Sequence, residues 1–593
     1  MTPSSRVSLW AVVGLGAVLV LTVWWRCHTI GPTILARFGF APYPVVAGEA
    51  EPLDCDEAAY AYIGKGVAHG KVMYRDLSEN KPPLGYWLYA LAVKVGGADE
   101  LTIRLMPIPY VLATVALVWW VGLRLGGGFV ACLAAFLFAL LSTDPYLYGN
   151  GANMEHFLDL FAVASLAAMV RAFDRGLDRR WLLVAGAMVA FASLVKQVAA
   201  VHGPVYALAV LAIDRGPGEA QGRRWRRKAL DLASLAAGFA IPWAATVAIL
   251  WVQGAGPDAW EDIVGYGSAL ATAKVPALNE PPKLLQWFTG KADPQGRFPW
   301  PFGRTEYLAW WGTGTWPLWV ASVPVLAWML ARPGPSRRLT AAWTLSSWVQ
   351  VALPGLFWQH YYLLPTPGVA LAVALALGAC VGSIGRAGRA RRAGALLLGS
   401  IAALGLAGAI GETARIQARA YLMVTPENLT ARYKGGGQWI WLRALGRDLA
   451  RRSAAWTDRT PTLYLWGWQS PLFVYSGLDG VTRHFFADPL LEDYARGYHR
   501  DHPRVRPRVD RIMSDLAEHP PSIVLVAYPP FPPLLRFLER GYRRVAMAGL
   551  NATSPDGIGL WVDREHAEAF DRAGRPGQTP GTATGSARPT TAR

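Results

Sequence analysis

The stretch RLMPIPYVLATVALVWWVGLRLGGGFVACLAAFLFALLST, residues 104–143, holds two apolar runs, 104–123 and 129–143. A bilayer crossing takes about 20 mostly apolar residues. Reading outward from this pair, further runs fall at 7–25, 157–173, 181–195, 198–213, 229–252, 306–330, 340–357, 363–382 and 393–411, which makes eleven. Several are short and call for tilt or for interfacial Trp and Tyr. The whole composition agrees: 53% hydrophobic residues, 27 Trp and 17% charged residues among 593, where soluble chains carry about 25% charged residues. The first run has only Arg6 ahead of it, lacks a clear small-x-small cleavage site and ends in Trp24-Trp25-Arg26. It reads as a retained anchor and not as a signal peptide.

Arginines set the orientation. Basic loops carry Arg171, Arg175, Arg179 and Arg180, then Arg215 to Lys228, then Arg332, Arg337 and Arg338, then Arg386 to Arg392. The loops at 143–156 and 357–362 have no Lys or Arg. Positive loops stay cytoplasmic, so the segments 26–103, 143–156, the turn near 196, 254–305, 357–362 and the region after 412 are expected on the outer side of the inner membrane, which the chain crosses many times. The net charge of +17 is explained by these topology signals beside anionic lipid, without nucleic acid. No Gly-rich phosphate loop ending in Lys-Ser/Thr is present, which argues against ATP-driven chemistry.

Beyond 412 the pattern changes. Residues 461–477 and 522–530 read as buried strands, and 508–519 and 533–544 as amphipathic helices. The fold expected is an all-α polytopic membrane domain over 1–412, an α/β or α+β domain over 413–570 and a disordered tail over 571–593. Cys27, Cys55, Cys132 and Cys380 show no metal spacing; Cys27 and Cys55 share a loop, yet free thiols are the expectation.

The chemistry concentrates in LDCDEAAYAYIGKGVAHGKVMYRDLSENKPPLGYW, residues 53–87. Asp54 and Glu57, three apart, resemble a capping box with Asp in place of Ser or Thr, at the start of a short helix expected on the membrane surface. That reading accounts for two acids and leaves Asp56 over. A carboxylate held by backbone N–H groups is ionised and fixed, fit to accept a proton from an attacking hydroxyl. Asp54 and Asp56 would also suit Mg²⁺ or Mn²⁺, a weak signal. Glu155 and His156 begin a later apolar run on the same side. Lys81 sits before a Pro pair in extended backbone. Lys196 alone reads as a snorkelling lysine, and His360 lies in the loop 357–368.

Taken together, the segments DEAAYAYIGKGVAHG, ENKPPLGYWLYAL, NMEHF and HYYLLPTPG, with Arg104 nearby, resemble the polytopic glycosyltransferases of the GT-C fold over about residues 50–370. The similar group is the protein O-mannosyltransferase and lipid A aminoarabinose transferase superfamily. The resemblance implies a sugar donor on polyprenyl phosphate, transferred outside the cytoplasm with inversion to a glycan, lipid or protein hydroxyl. It implies Asp56 as catalytic base, with Glu57 beside it, Glu155 as the second acid, and Lys81, Lys196, His360 and Arg104 toward the carrier phosphate. Asn80 stands where the aminoarabinose transferases have a zinc-ligating Glu, so no zinc or other cofactor is expected. Lysine charge on a developing phosphate anion and a base on the acceptor hydroxyl are what such a reaction needs. A transporter or flippase of lipid-linked sugars would use similar residues, but at mid-span in broken helices.

Overall fold

In the computed structural model the described residues are 7–27, 51–213, 220–266, 315–354, 358–383, 389–418, 438–454, 456, 458–485, 506–546 and 558–574. The segment 28–50, most of the loop 254–305 and the tail beyond 574 lie outside them. The chain divides into two units. One holds Met1–Leu53, Ile63–Arg75 and Glu79–Gly437; the other holds Asp54–Tyr62, Asp76–Ser78 and Gln438–Arg593.

The first unit is helical. A helix occupies each of the eleven apolar runs, from Leu9–Cys27 to Arg389–Ala418. Five helical segments have the length and composition to cross a membrane: Leu9–Cys27, Glu100–Gly126, Met154–Asp174, Gln221–Val252 and Gln359–Gly382. Shorter apolar helices run over Gly128–Leu141, Gln197–Ala212 and Trp316–Ala331. This is a membrane protein.

Lipid tails are as apolar as leucine, so helices in a bilayer associate through close backbone approach and polar contacts. Gly186 and Gly238 supply the first. They meet where Arg179–Val195 crosses Gln221–Val252, and a Cβ on either would overlap a carbonyl of the opposite helix, that of Leu235 or Leu183. Ion pairs supply the second at the arginine-rich ends: Arg179 Nε donates to Asp231 at 3.0 Å, and Arg124 lies 2.8 Å from Asp174. Deeper in the bundle, neutral polar groups serve. Trp243 Nε1 donates to Ser193 at 2.8 Å, and His202 is held between Ser346 and Gln350, each at 2.8 Å, with its ring 5.0 Å from that of Trp343.

The second unit is built on a five-stranded mixed sheet of order β2-β1-β3-β5-β4. The strands are β1 Thr462–Trp466, β2 Asp479–Gly480, β3 Ile523–Val526, β4 Tyr542–Val545 and β5 Gly559–Asp563. β1 is parallel to β2 and β3, and β5 is antiparallel to β3 and β4. Helices Arg506–Glu518 and Pro532–Gly541 bury Val509, Ile512, Leu516, Leu534 and Leu538 with Tyr464, Trp466, Val524, Val526 and Trp561 of the sheet. Two boundary expectations need correction. The run 461–477 is strand only to Trp466; Pro471–Ser476 is helical, since Pro at a first helical turn starts a helix and cannot donate to a ladder. The helix expected to reach residue 544 stops at Gly541, and Tyr542 opens β4.

The acid-bearing helix, Cys55–Ala68, forms as expected, but not as an amphipathic surface helix. Glu57, Ala58, Ala59, Tyr60, Ala61, Tyr62 and Ile63 are all buried, so packing covers its whole circumference. Part of that packing comes from the C-terminal unit. The Tyr62 ring stacks on Phe473 at 4.5 Å, its hydroxyl accepts from Gly480 N at 2.7 Å, and Ser470 Oγ donates to the Cys55 carbonyl. All four cysteines are free.

Candidate active site

The acids at 54–57 belong with the C-terminal unit. Asp54 and Glu57 form the reciprocal capping box: Glu57 N donates to Asp54 Oδ1 at 3.0 Å, and Asp54 N donates to Glu57 Oε2 at 3.1 Å. Each side chain thereby satisfies a backbone donor that the helix start would leave open. Glu57 is fully buried in this role and Asp54 nearly so. Asp56, in the same first turn, is half-buried and takes no part in the box. The one acid left over by the capping pattern is the one that retains access.

The remaining predicted residues lie in the membrane unit. Met154–Asp174 opens with Glu155 in its first turn. The helix Arg179–Val195 ends at Lys196, whose extended backbone (φ −149°, ψ 120°) breaks the helix and begins a 3-10 turn over Gln197–Val201. This brings Lys196 Nζ onto Glu155 Oε1 as a buried ion pair. His360, in the 3-10 turn Gln359–Leu363, places Nε2 3.9 Å from the same oxygen. Tyr361 places its ring 4.0 Å beneath Lys196 Nζ. Lys196 is therefore not a snorkelling lysine. It is 6% exposed, because a carboxylate and an aromatic face replace the water that snorkelling would seek.

Lys81 carries a carboxylate partner as well. Glu79 Oε1 lies 3.4 Å from Lys81 Nζ and accepts from Asn80 N at 2.8 Å. Tyr74 OH donates to the Lys81 carbonyl at 2.8 Å. Burial, then the charges of Asp262 and Glu79, raises the pKa of Tyr74 well above its ordinary value, so the phenol stays a donor. Gln197 Nε2, next in chain to Lys196, donates to the Asn80 carbonyl at 3.2 Å. One side-chain-to-backbone hydrogen bond thus ties the Lys81 segment to the Lys196 turn. Gly85 strengthens the tie, since its α-carbon lies against the Met154 side chain beside Glu155.

Arg104 stands apart in its bonding. It is buried and donates to the carbonyls of Pro52 at 2.8 Å and Glu51 at 3.4 Å, the residues leading into the acid-bearing helix. Glu79, Tyr361 and Gln197 were not legible as site residues. Glu79 lies in an irregular segment before Pro82 where no periodicity marks it, and the other two act through backbone and ring contacts that leave no spacing signature.

Among the described residues no group of three or more His, Cys, Asp and Glu side chains is arranged to hold a metal. At position 80 an amide stands beside the Glu79 carboxylate, which lies 3.4 Å from Lys81 Nζ and accepts from Asn80 N at 2.8 Å.

The helical unit has the GT-C fold, the fold of polytopic membrane glycosyltransferases. Residues 80–249 match the dolichyl-phosphate-mannose-protein mannosyltransferase family. ArnT from Cupriavidus metallidurans bound to undecaprenyl phosphate is similar in structure, at 16% identity with a TM-score of 0.52, over 93% of this chain and 97% of that one. Its apo state aligns over 96% and 99% at 15% identity and a TM-score of 0.50. The apo oligosaccharyltransferase of Archaeoglobus fulgidus is similar at 14% identity and a TM-score of 0.51, over 87% of this chain and 69% of that one. Against curated protein sequences the chain has no match.

Proposed function

We infer that the protein is a membrane glycosyltransferase that takes a sugar from a polyprenyl-phosphate carrier and passes it, with inversion, to a hydroxyl of a glycolipid, polysaccharide or protein. The observation that carries this reading is the pairing of two lysines, Lys81 and Lys196, with buried carboxylates and their connection through the Gln197–Asn80 bond. A lysine already neutralised by a protein carboxylate is oriented and partly dehydrated, and it turns toward a phosphate without a large reorganisation. His360 adds a further donor within reach of Glu155. The likeness to a carrier-bound GT-C structure supports the same chemistry.

In the proposed reaction Lys81, Lys196 and His360 stabilise charge as the carrier phosphate leaves, Asp56 takes the acceptor proton, and Glu155 keeps Lys196 in place. Arg104 acts at one remove, by holding residues 51–52. The site works on the extracytoplasmic face of an inner membrane, the side assigned by the arginine-poor loops.

Purified protein, a radiolabelled polyprenyl-phosphate sugar and membranes from a deletion strain test the reading. Transfer of label with release of polyprenyl phosphate, lost in Lys81→Ala, is the expected result. Movement of intact lipid-linked sugar across a vesicle with no glycosidic transfer would return the chain to the transporter class.

A further inference from the structure

The cluster around Glu155 depends on a loop, residues 142–153, that carries no Lys or Arg of its own. Its backbone is tightly folded. Asp144 Oδ1 accepts from Tyr146 N at 2.9 Å, and Gly149 N donates to the Asp144 carbonyl at 2.8 Å. Tyr148 is left-handed, with φ 55°. Position 149 admits only glycine without a backbone shift, because a Cβ there would meet Ser142 O and the Asp144 backbone. Such a fold turns several carbonyls to one side, where they need donors.

Arg26 supplies them. It ends the first helix, Leu9–Cys27, and is 3% exposed. Its guanidinium donates to the carbonyls of Gly149 at 2.6 Å, Gly151 at 3.0 Å and Ser142 at 3.3 Å. Two side chains from outside the loop also bond its carbonyls: His156 bonds that of Gly149 at 3.0 Å, and Tyr89 OH donates to that of Ala152. Two consequences bear on the cluster. The loop leads directly into Met154 and Glu155. The Tyr148 ring, adjoining the pinned Gly149, lies against the His360 imidazole with centroids 6.4 Å apart and planes 25° from parallel. Arg26 thus holds Gly149, next in chain to the Tyr148 that faces His360, and Gly151, three residues before the helix that bears Glu155.

We propose that Arg26 is a positioning residue for the carrier-phosphate cluster, acting through the 142–153 backbone on His360 and Glu155. A planar fork suits this task, because a single group reaches three carbonyls at once; an ammonium satisfies fewer of them from the same stem. The inference rests on the proposed reading of that cluster as a phosphate site, and its test separates the two.

The probe is undecaprenyl phosphate, titrated onto full-length protein in nanodiscs, with melting temperature recorded for every variant. Arg26→Met weakens carrier binding on the order of tenfold, and Arg26→Lys weakens it less. The decisive readout is coupling: in an His360→Ala background, Arg26→Met adds little, because the group it positions is gone. A purely structural arginine would lower melting temperature and leave the two losses additive. Should Arg26→Met fail to fold, the same cycle run with Arg26→Lys decides. Carrier binding that falls in Lys81→Ala but is untouched by Arg26 variants, or additive losses, overturns the inference alone. A wild-type protein with no carrier binding overturns the phosphate reading and this inference with it.

Discussion

Replacing Lys196 should cost both stability and carrier use, and the two losses should respond differently to a second change at Glu155. The Lys196 and Glu155 side chains are 7% and 1% exposed, so truncating one leaves the other charged and desolvated. Removing one partner of a buried pair costs about 3–5 kcal/mol, and the cation–π contact with Tyr361 adds up to about 2 kcal/mol. Lys196→Met and Glu155→Gln should each be destabilised on that scale. The double variant has no orphaned charge, and it should be more stable than either single variant. Melting in detergent, with all four proteins in one lipid-to-detergent ratio, measures the cycle. Carrier use should not recover with stability, since the cation proposed to meet the phosphate is still missing. Additive destabilisation in the double variant would refute the buried pair, and restored transfer would refute Lys196 as a phosphate contact.

Asp56→Asn should lower the transfer rate by about 10²–10⁴ with stability changed by only a few tenths of a kcal/mol, because Asp56 takes no part in the capping box and the change forfeits its charge beside the helix start; initial rates beside melting curves check this. Asp54→Ala should instead lower stability by about 0.5–2 kcal/mol through loss of the capping box, read in the same melts. Gly186→Leu should destabilise the membrane unit by about 1–3 kcal/mol or more through overpacking against the Leu235 carbonyl, measured by unfolding in detergent. In the C-terminal unit, burial of His566 opposes its charge, but bonds to Asp563 and Asp458 outweigh it and raise its pKa. Its contribution to stability is fully present below pH 6.5, the ordinary value, and is lost as pH rises through the raised value. The melting temperature of His566→Ala should therefore lack a decline with pH that the parent protein shows.

The helices were readable because bilayer physics demands long apolar runs, and each of the eleven runs holds a helix among its described residues. The capping box was readable because it is local: four consecutive residues contain both partners. What escaped the sequence is nonlocal or lacks a period. Lys196 looks like a snorkelling residue until Glu155, 41 positions away, is folded against it. Arg26 looks like a boundary arginine because its acceptors are backbone carbonyls 116 to 125 positions on. The run 461–477 is uniformly apolar, and apolar runs do not by themselves separate buried strand from buried helix; Pro471 carried the signal for the break.

The two margins of the small sheet have a consequence for how the protein is made. One margin, β2, is two residues long. The other, β4, bears Arg543, paired with Asp571 at 2.5 Å, and Arg544, stacked 4.8 Å from the Trp561 ring. Neither offers a long, flat row of open backbone groups to a neighbouring chain. A unit tethered to a membrane by the rest of its chain folds at high local concentration, beside other copies of itself. Blunted sheet margins let the C-terminal unit complete its fold there without recruiting strands from those copies, so crowding along the bilayer should not convert it into aggregates.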